Sequence, residues 1–514
     1  MDRASRTRIA EVLVALINYD RTLHAARCGT SNRWAAAVRI AQLCPFDIYR
    51  IGGVQRHILD TAAALRDLGH EVTILAPHVH DTDVTRQRGA RFGSDHKGIE
   101  YVGRGWRFRT ANTPVELSGA FGPERSRLKE IASRGGFDVI HYHSVYTPVL
   151  GMQALKFSRS ANVATLHDTP LDTVSGAVER SYLRRSTHRL LPQLDAVITV
   201  SPISTPHYDL RRARRAYVVP PCVDLRRFMT VTRTIPEFRD NRLNILFVGR
   251  LEKRKGAAVL IQAYARLCAA GAKARLLIVG EGEERAELEQ FCAKNSVPNV
   301  IFAGPDRDTP RWYASCDIFC APTIYNEAFG IVIAEAMASG KPVVATGNPA
   351  YRSILGGEAE CGLVPPGDVD ALYRTLRRFA ESAPLRRRLG AWGRTQALRY
   401  DTRAVVHDLV AVYSDCETQN HLRLGHPCLQ MHSGGSRLRR VMLHGYGTWN
   451  GPGQSNGFKP LPGIVERSLF MGIFLSFFAP LFLSSVFLFS IRSSLSRLAG
   501  TLRFVCRAVQ GRPE

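Results

Sequence analysis

The chain has 514 residues, which is long enough for two or three domains. Hydrophobic residues make up 45% of it and charged residues 22%, a globular composition that excludes wholesale disorder. The formal net charge of +24 indicates attraction to polyanions such as nucleotide phosphates, anionic lipids or nucleic acid. No zinc-finger spacing or aromatic RNA-binding signature accompanies the basic runs, so nucleic acid is not expected as a partner. The 11 cysteines are scattered singly, which favours reduced core thiols over a disulfide framework.

Residues 1–37 differ from the rest of the chain. Three arginines precede a short apolar run at residues 9–17, which resembles a weak signal peptide without a small-residue cleavage site. We interpret residues 1–37 as an N-terminal extension, and its presence in the native protein is an open question. The working fold is expected to begin near Val38, in a first buried strand.

From residue 38 to 220, short apolar runs alternate with amphipathic stretches of helical length. The predicted strands are residues 39–43, 71–76, 139–142, 162–166, 196–200 and 217–219. The clearest predicted helices are residues 54–68 and 181–194. This alternation is typical of βαβ units around a parallel sheet, so residues 38–220 are predicted to form a Rossmann-like domain.

The same pattern restarts at Leu243 and predicts a second Rossmann-like domain over residues 221–415. Its predicted strands are NILFVG, ARLLIVG, NVIFAG, DIFCAP and KPVVAT. In open parallel sheets the ligand binds at the carboxyl ends of the strands. The predicted fold class is therefore α/β, with two doubly wound domains that face each other across a deep cleft.

The character of the chain changes after residue 415. Residues 416–463 are rich in Gly, Ser, His and Arg and are predicted to be a linker. Residues 469–491 form a run of 23 residues without a charge, between Arg467 and Arg492. About 20 apolar residues in a helix span a bilayer, so residues 464–514 are predicted to be a membrane segment with a basic tail. Basic residues flank the run on both sides, which leaves its orientation open.

Two segments have the composition of a phosphate-binding site. Gly52 and Gly53 lie at a predicted strand-to-helix turn, where glycine lets the backbone approach a ligand and the new helix offers unpaired N–H groups. Arg250 and Lys255 follow the NILFVG strand, in a position to pair with a diphosphate. Negative charge grows on the nucleotide as it leaves, so fixed cations there stabilise the transition state. A structural turn and a solvated charge run are the alternative interpretations.

The segment NEAFGIVIAEAMASGKPVV contains two glutamates eight positions apart, Glu327 and Glu335. Glu335 falls in an apolar helical run, where an unpaired carboxylate is unfavourable. If the helix begins near Phe329, Glu327 lies just ahead of it. Glu327 is then placed to reach sugar hydroxyls, Gly330 to present its backbone N–H to a diphosphate, and Glu335 to accept from ribose hydroxyls. The alternative is a capping acid with a paired core acid.

In this order and spacing, GGVQ, VGRLEKRKG and NEAFGIVIAEAMASGKPVVAT resemble glycosyltransferase family 4, whose members have the GT-B fold. The resemblance covers about residues 38–415, and the opening CPFDIYRIGGVQRHILDTAAALRDLGHEVTILAP is especially similar to bacterial phosphatidylinositol mannosyltransferases. The resemblance implies retaining transfer of a hexose, with mannose favoured, from GDP-mannose or a UDP-hexose. It implies no metal and no cofactor beyond the nucleotide sugar.

The resemblance also implies roles for individual residues. Arg250 and Lys255 take the diphosphate, and Glu327 the donor sugar. The other implied donor-binding residues are Gly52, Gly53, Phe329, Gly330, Ile331 and Glu335. The family has an active-site histidine after a strand of its first domain, for which His143 is the favoured match and His141 the alternative.

One segment departs from the family pattern. Pro220-Pro221-Cys222-Val223-Asp224 stands where the family often has Pro-Asn-Gly-Val-Asp, which leaves the role of Asp224 open. The aspartate pairs at residues 81 and 83 and at residues 306 and 308 are interpreted as turn residues rather than metal ligands.

The acceptor is constrained only by charge and by the apolar tail. Basic residues favour an acceptor at an anionic membrane, and they stand at positions 184, 185, 211, 212, 214 and 215. We therefore expect a lipid-linked or glycan acceptor and a location at the cytoplasmic face of the inner membrane, with residues 469–491 as the anchor. The alternatives are a catalytically silent membrane-tethered subunit that binds nucleotide sugar and a GT-B sugar-nucleotide epimerase. The donor base and oligomeric state are open.

Overall fold

The structure is a computed structural model in which the chain divides into two units, Met1–Gly435 and Ser436–Glu514. It describes residues 37–50, 52–79, 98–110, 113–146, 149–167, 174–230, 233–325 and 327–423, all of which belong to the first unit. Nearly all of the predicted N-terminal extension, most of the predicted linker and the predicted membrane segment lie outside these residues.

Eight strands form the first sheet. They are β1 (Arg39–Leu43), β2 (Glu71–Val79), β3 (Ile99–Thr110), β4 (Thr113–Gly119), β5 (Val139–His143), β6 (Ala161–Leu166), β7 (Ala196–Thr199) and β8 (Ala216–Val218). Their order across the sheet is β4-β3-β2-β1-β5-β6-β7-β8. Neighbouring strands are parallel except β3 and β4, which form an antiparallel hairpin at the sheet edge.

The helices that cover this sheet follow its strands in the chain. They are α1 (Gly53–Asp67), α2 (Pro123–Arg134), α3 (Leu150–Phe157) and α4 (Val174–Leu190). One apolar face of α1 packs on the sheet through buried residues such as Ile58 and Leu65. Every residue of β5 and β6 is buried. This is typical of parallel strands that are covered on both faces.

Six parallel strands form the second sheet. They are β9 (Leu243–Val248), β10 (Ala274–Val279), β11 (Val300–Gly304), β12 (Ile318–Ala321), β13 (Val343–Thr346) and β14 (Leu363–Val364). Their order is β11-β10-β9-β12-β13-β14, and each neighbouring pair is parallel. The chain reverses direction across the sheet between β9 and β12, which is where open parallel sheets bind their ligands.

The helices of the second half alternate with its strands. They are α5 (Arg226–Met229), α6 (Ala257–Ala269), α7 (Arg285–Lys294), α8 (Thr309–Ser315), α9 (Ile331–Ala338), α10 (Pro349–Ile354), α11 (Val369–Glu381) and α12 (Ala383–Ala397). The apolar run that contains Glu335 is therefore a helix, and it begins two residues later than the sequence suggested.

The last helix of the described residues, α13 (Thr402–Arg423), returns to the first sheet. Its residues Val405, Leu409 and Tyr413 belong to the same buried core as Ile58 of α1. The predicted boundary between the second domain and the linker, at residue 415, falls inside this helix. The chain therefore crosses between the two Rossmann-like domains twice, and the two crossings lie side by side, since the backbone N–H of Thr402 donates to the carbonyl of Val223.

The two sheets present their carboxyl ends to each other. Ser201, just after β7, donates a hydrogen bond of 2.6 Å to the backbone carbonyl of Ala328, just before α9. Arg307, after β11, donates to the carbonyl of Tyr49 in the loop after β1. Because all four positions follow strands or precede helices at the ligand-binding edges, these contacts hold a cleft between the domains.

Candidate active site

The glycine turn of the first domain reaches the second domain. Gly52 is extended, with φ −171° and ψ 156°, and Gly53 is the first residue of α1. A Cβ atom added to Gly53 would lie 3.4 Å from Cδ1 of Ile331, the first residue of α9. The structure thus brings together two of the predicted donor-binding positions, each at the N-terminus of a helix, where backbone N–H groups are unpaired.

The predicted cations follow β9, and a third one joins them. Lys255 forms an ion pair with Glu327, and Nη1 of Arg254 lies 3.1 Å from Oε1 of the same carboxylate. Arg250 pairs with Glu252 at 3.2 Å, and the same glutamate lies 2.7 Å from Arg254. Sequence reasoning missed Arg254, although it lies in the same RLEKRKG run. The three cations form one patch of positive charge at the carboxyl end of the second sheet.

The turn that carries Lys255 depends on Gly256. Residues Lys253–Lys255 form a short 3-10 helix, and Gly256 follows in the left-handed region with φ 73°. A Cβ atom there would overlap the backbone carbonyl of Pro322. The lysine is therefore held against the end of β12 by a backbone approach that only glycine permits.

Glu327 is ionised in this environment. Burial alone would raise its pKa, but the neighbouring Lys255 and Arg254 charges outweigh the burial, so its pKa lies below the ordinary value. A carboxylate that is fixed and charged among cations can accept hydrogen bonds from sugar hydroxyls while the cations hold phosphate oxygens.

Glu335 has a different environment from Glu327. It lies on α9, is 9% exposed, and accepts a hydrogen bond of 2.9 Å from the hydroxyl of Tyr313. Burial raises its pKa to about 7, and the Tyr313 hydrogen bond and the nearby Arg56 and Arg227 charges offset this only in part. The sequence placed Glu335 near ribose; the structure adds that its charge is balanced by no direct ion pair among the described residues.

The segment between the two glutamates has its own geometry. Phe329 is buried and packs edge-on against Tyr400, with ring centroids 5.2 Å apart. Its side chain therefore belongs to the core, and a ligand contact at this position would come from the backbone. Gly330 caps α9 with φ 111°, and a Cβ atom there would lie 2.6 Å from Cε1 of Tyr351.

The two candidate active-site histidines, His141 and His143, are both buried in β5. His141 is fully buried, and its ring nitrogens lie 2.6 Å from the hydroxyl of Tyr413 and 2.7 Å from that of Thr165. His143 is 1% exposed, with Nε2 3.3 Å from Oε1 of Gln42 and Nδ1 3.0 Å from Nε2 of His167. Both nitrogens of each predicted histidine are therefore engaged inside the protein.

Sequence reasoning missed His167. It follows β6 and is the partly exposed member of the group, stacked near His143 with ring centroids 5.3 Å apart. The signal was present, because ANVATLH is a buried strand that ends in histidine, as VIHYH does one strand earlier. His143 stays the predicted match by sequence, and His167 is the more exposed of the two rings.

Nitrogens of His57, His143 and His167 lie within 4.8 Å of one another, a spacing that could hold a metal ion. The backbone N–H of Cys222 donates to Nδ1 of His57 at 2.9 Å. A neutral His57 must then carry its proton on Nε2, so that nitrogen has no lone pair for a metal. The same contact shows what the altered Pro-Pro-Cys-Val-Asp link does, since it anchors the link to α1.

A cavity in the second domain lies away from this site. It has a volume of about 700 Å³ and is lined by residues at the amino ends of the second-sheet strands, including Leu243, Lys273 and Lys341. None of the predicted site residues lines it. One of its cations, Lys341, has a structural role, since it caps α8 by donating to the carbonyls of Ala314 and Cys316. The cavity thus lies at the opposite ends of the strands from the predicted donor site.

Fold and site together define a class. Two Rossmann-like domains enclose a cleft with a glycine turn on one side and a cation–glutamate cluster on the other, which is the arrangement of a GT-B, nucleotide-sugar-dependent glycosyltransferase. The family described as Glycosyltransferase Family 4 matches residues 51–227, and Glycosyl transferases group 1 matches residues 229–396. The chain belongs to glycosyltransferase family 4, as its motifs indicated.

Relatives of known name agree with this assignment. The phosphatidyl-myo-inositol mannosyltransferase of Mycolicibacterium smegmatis is 33% identical over 383 residues, which cover 73% of this chain and 93% of that protein. The Mycobacterium tuberculosis enzyme of the same name is 32% identical over 391 residues, covering 73% and 96%. These relatives favour neither the epimerase nor the silent subunit.

Solved structures share the fold at low sequence identity. Anabaena HepE in complex with UDP and glucose has a TM-score of 0.59 and 21% identity, covering 73% of this chain and 99% of that one. Sucrose-phosphate synthase from Thermosynechococcus elongatus has a TM-score of 0.57 and 20% identity, covering 74% and 98%. Both confirm the GT-B architecture.

Proposed function

We propose that the enzyme transfers a hexose, with mannose favoured, from a nucleotide diphosphate sugar to a lipid-linked or glycan acceptor at a membrane, with retention of configuration. The observation that carries this proposal is the cluster of Arg250, Arg254 and Lys255 around Glu327, opposite the Gly53 turn. The names of the mycobacterial relatives support mannose and a phosphoinositide acceptor.

The reaction follows from the distribution of charge. Arg250 and Lys255 would bind the diphosphate, whose negative charge increases as the bond from the anomeric carbon to the phosphate oxygen breaks. The acceptor hydroxyl would attack from the same face, and a phosphate oxygen of the leaving group would take its proton. Fixed cations stabilise that transition state because they need no reorganisation. We propose no metal in this step, since the cations supply the charge that a metal would.

The donor test measures the melting temperature of the full chain with GDP-, UDP- and ADP-sugars. A ligand that binds only the folded state raises the melting temperature. We expect the largest shift with GDP-mannose and a loss of that shift in Lys255→Ala. No shift with any nucleotide sugar, from a folded sample, would reject the donor site.

The acceptor test measures transfer of labelled hexose to phosphatidylinositol vesicles, with phosphatidylcholine vesicles as the matched control. We expect labelled lipid only with phosphatidylinositol, the same rate after treatment with EDTA, and an α-linked product from an α-linked donor. Free hexose without labelled lipid would point to hydrolysis and reject this acceptor.

The membrane location is a proposal that rests on residues 469–491, which lie outside the described residues. Among the residues that the structure describes, no helix is both long and apolar enough to cross a membrane. We expect the full chain to float with vesicles in a density gradient and a chain ending at residue 423 to float less. Equal flotation of the two would place membrane binding in the catalytic domains instead.

A further inference from the structure

A line of hydrogen bonds runs from Gln42 through His143 to His167. Their strands β1, β5 and β6 are neighbours in the first sheet. Gln42 and His143 are buried, with exposures of 0% and 1%, whereas His167 is partly exposed. The line therefore connects the interior of the sheet to the side of the cleft where the donor and acceptor are proposed to meet.

The chemistry of the amide fixes the direction of each hydrogen bond. Oε1 of Gln42 can only accept, so Nε2 of His143 carries a proton and donates. In a neutral imidazole the other nitrogen, Nδ1, is then the acceptor, and Nε2 of His167 must donate to it. His167 is consequently left with an unprotonated Nδ1, and no described residue donates to that atom.

The surroundings keep these rings neutral. Burial lowers the pKa of His143 well below its ordinary value, and the neighbouring imidazoles of His141, His167 and His57 lower it further. His167 is affected in the same way by burial, His57 and His141. No carboxylate forms an ion pair with either ring among the described residues, so the tautomer logic of neutral imidazoles applies near pH 7.

We propose that Gln42 is a positioning residue that, through His143, holds His167 in the tautomer with its proton on Nε2, so that Nδ1 accepts a hydrogen bond from a hydroxyl of the bound sugar or acceptor. This inference rests on the proposed transferase function only for the identity of the hydroxyl. The tautomer itself is a property of the free protein. A lone pair at Nδ1 selects a hydroxyl donor over a phosphate oxygen, which has no proton to give at neutral pH.

The direct test is the ¹⁵N spectrum of the full chain labelled in histidine, because protonated and unprotonated imidazole nitrogens differ strongly in chemical shift. The His167 signals are assigned by their loss in His167→Phe. We expect Nε2 protonated and Nδ1 unprotonated in the wild type, and a mixture of both tautomers in Gln42→Met, which has similar length and no acceptor.

Turnover gives a second, separate measurement. In Gln42→Met we expect kcat to fall about five- to tenfold, the range for one lost hydrogen bond, with less than about a twofold change in nucleotide-sugar affinity. Tyr413→Phe is the matched control, since it removes a buried hydrogen bond from His141 without touching the Gln42 line. We expect it to leave the His167 tautomer unchanged.

Two results would overturn the proposal. One is a wild-type His167 with its proton on Nδ1, which needs no variant to fold. The other is a folded Gln42→Met chain with unchanged tautomer and unchanged kcat. If the wild type shows the expected tautomer but transfers no sugar to any acceptor, the proposed function fails while the role of Gln42 in setting the tautomer stands.

Discussion

Tyr313 donates a 2.9 Å hydrogen bond to Glu335, and this is the one hydrogen bond that reaches that carboxylate among the described residues. Two other predicted donor-binding residues, Arg250 and Lys255, each form an ion pair with a glutamate in the free protein. Glu335 is thus a buried acid whose charge no ion pair balances among the described residues, and its pKa of about 7 follows from burial. Its ionisation therefore falls near neutral pH.

Donor affinity is expected to depend on pH through Glu335. If ribose hydroxyls donate to its carboxylate, binding requires the ionised form, and the affinity for GDP-mannose should fall by up to tenfold per pH unit below about 7. Titration calorimetry between pH 5.5 and 8.5 measures this, and a nucleotide sugar is preferred to free GDP because its diphosphate has no terminal group that titrates near pH 6. Glu335→Gln should flatten the profile and weaken binding at pH 8. Tyr313→Phe should move the inflection to higher pH, because the hydrogen bond lowers the pKa.

The raised pKa of Glu335 also affects the stability of the fold, and here a lower pH is favourable rather than unfavourable. The folded pKa of Glu335 lies above its ordinary value of 4.5, so the folded state binds the proton more tightly. Its contribution to stability is then complete below about pH 4.5 and is lost as the pH rises through about 7, a change of ~3 kcal/mol. The urea midpoint of Glu335→Gln, relative to that of the wild type, should therefore be higher at pH 8 than at pH 5. An equal difference at both pH values would contradict the raised pKa.

Much of this fold was predictable because local sequence patterns indicate its strands and helices. Buried parallel strands are apolar runs such as NILFVG, and β1 has the bounds that the sequence indicated. The Arg-Lys run and the spaced glutamates stand out because charges in or beside apolar segments are rare. The hairpin of β3 and β4 was missed because neither the Arg-containing β3 nor the short β4 shows a continuous apolar run.

Contacts between distant segments were not predictable. The hydroxyl of Tyr413 meets His141 across 272 positions, since α13 packs on the first sheet although the chain reaches it after the second. An amphipathic pattern predicts that a helix has an apolar face but not which core it covers. For the same reason the sequence did not indicate that Gln42 and His167 contact His143, because only the order of the strands brings their side chains together.

Lys255 and Glu327 are expected to fail in different ways when replaced. Glu327→Ala and Lys255→Ala should each reduce transfer at least about 100-fold while the protein stays folded, because each removes a group that meets the donor. Removing the Glu327 charge leaves three cations near the diphosphate, so GDP should bind Glu327→Gln as tightly as the wild type or more tightly. Lys255→Met should weaken GDP binding about tenfold or more. Near-normal turnover in either alanine variant would refute the site assignment, and circular dichroism serves as the folding control.

Gly330→Ala is expected to disturb the donor site through the backbone. Its φ of 111° is unfavourable for alanine, and the new Cβ would lie 2.6 Å from the buried ring of Tyr351. Gly357 is a matched control, because its φ of 68° is also positive but no atom lies within 4 Å of an added Cβ. Strain alone should make Gly357→Ala about 1 kcal/mol less stable, and Gly330→Ala should lose roughly 2–3 kcal/mol and most of its nucleotide-sugar affinity. Equal losses of stability in the two variants would show that the ring of Tyr351 moves aside.

Ser201→Ala is expected to loosen the cleft without removing any group that meets the donor. The Ser201 hydroxyl donates to the carbonyl of Ala328, next to Glu327, so its loss frees the second domain from the first at the site itself. One hydrogen bond is worth about 1 kcal/mol, which predicts a three- to tenfold weaker affinity for nucleotide sugar. Ser204→Ala is the matched control, since its hydroxyl bonds within the same turn to the carbonyl of Ser201 and not across the domains.

Calorimetry measures the affinity, and small-angle scattering measures the radius of gyration with and without donor. If the contact holds the domains closed, Ser201→Ala should be more extended than Ser204→Ala without donor and equally compact with saturating donor. No difference without donor would show that the other contacts between the domains, such as Arg307 with Tyr49, are enough to set the closure.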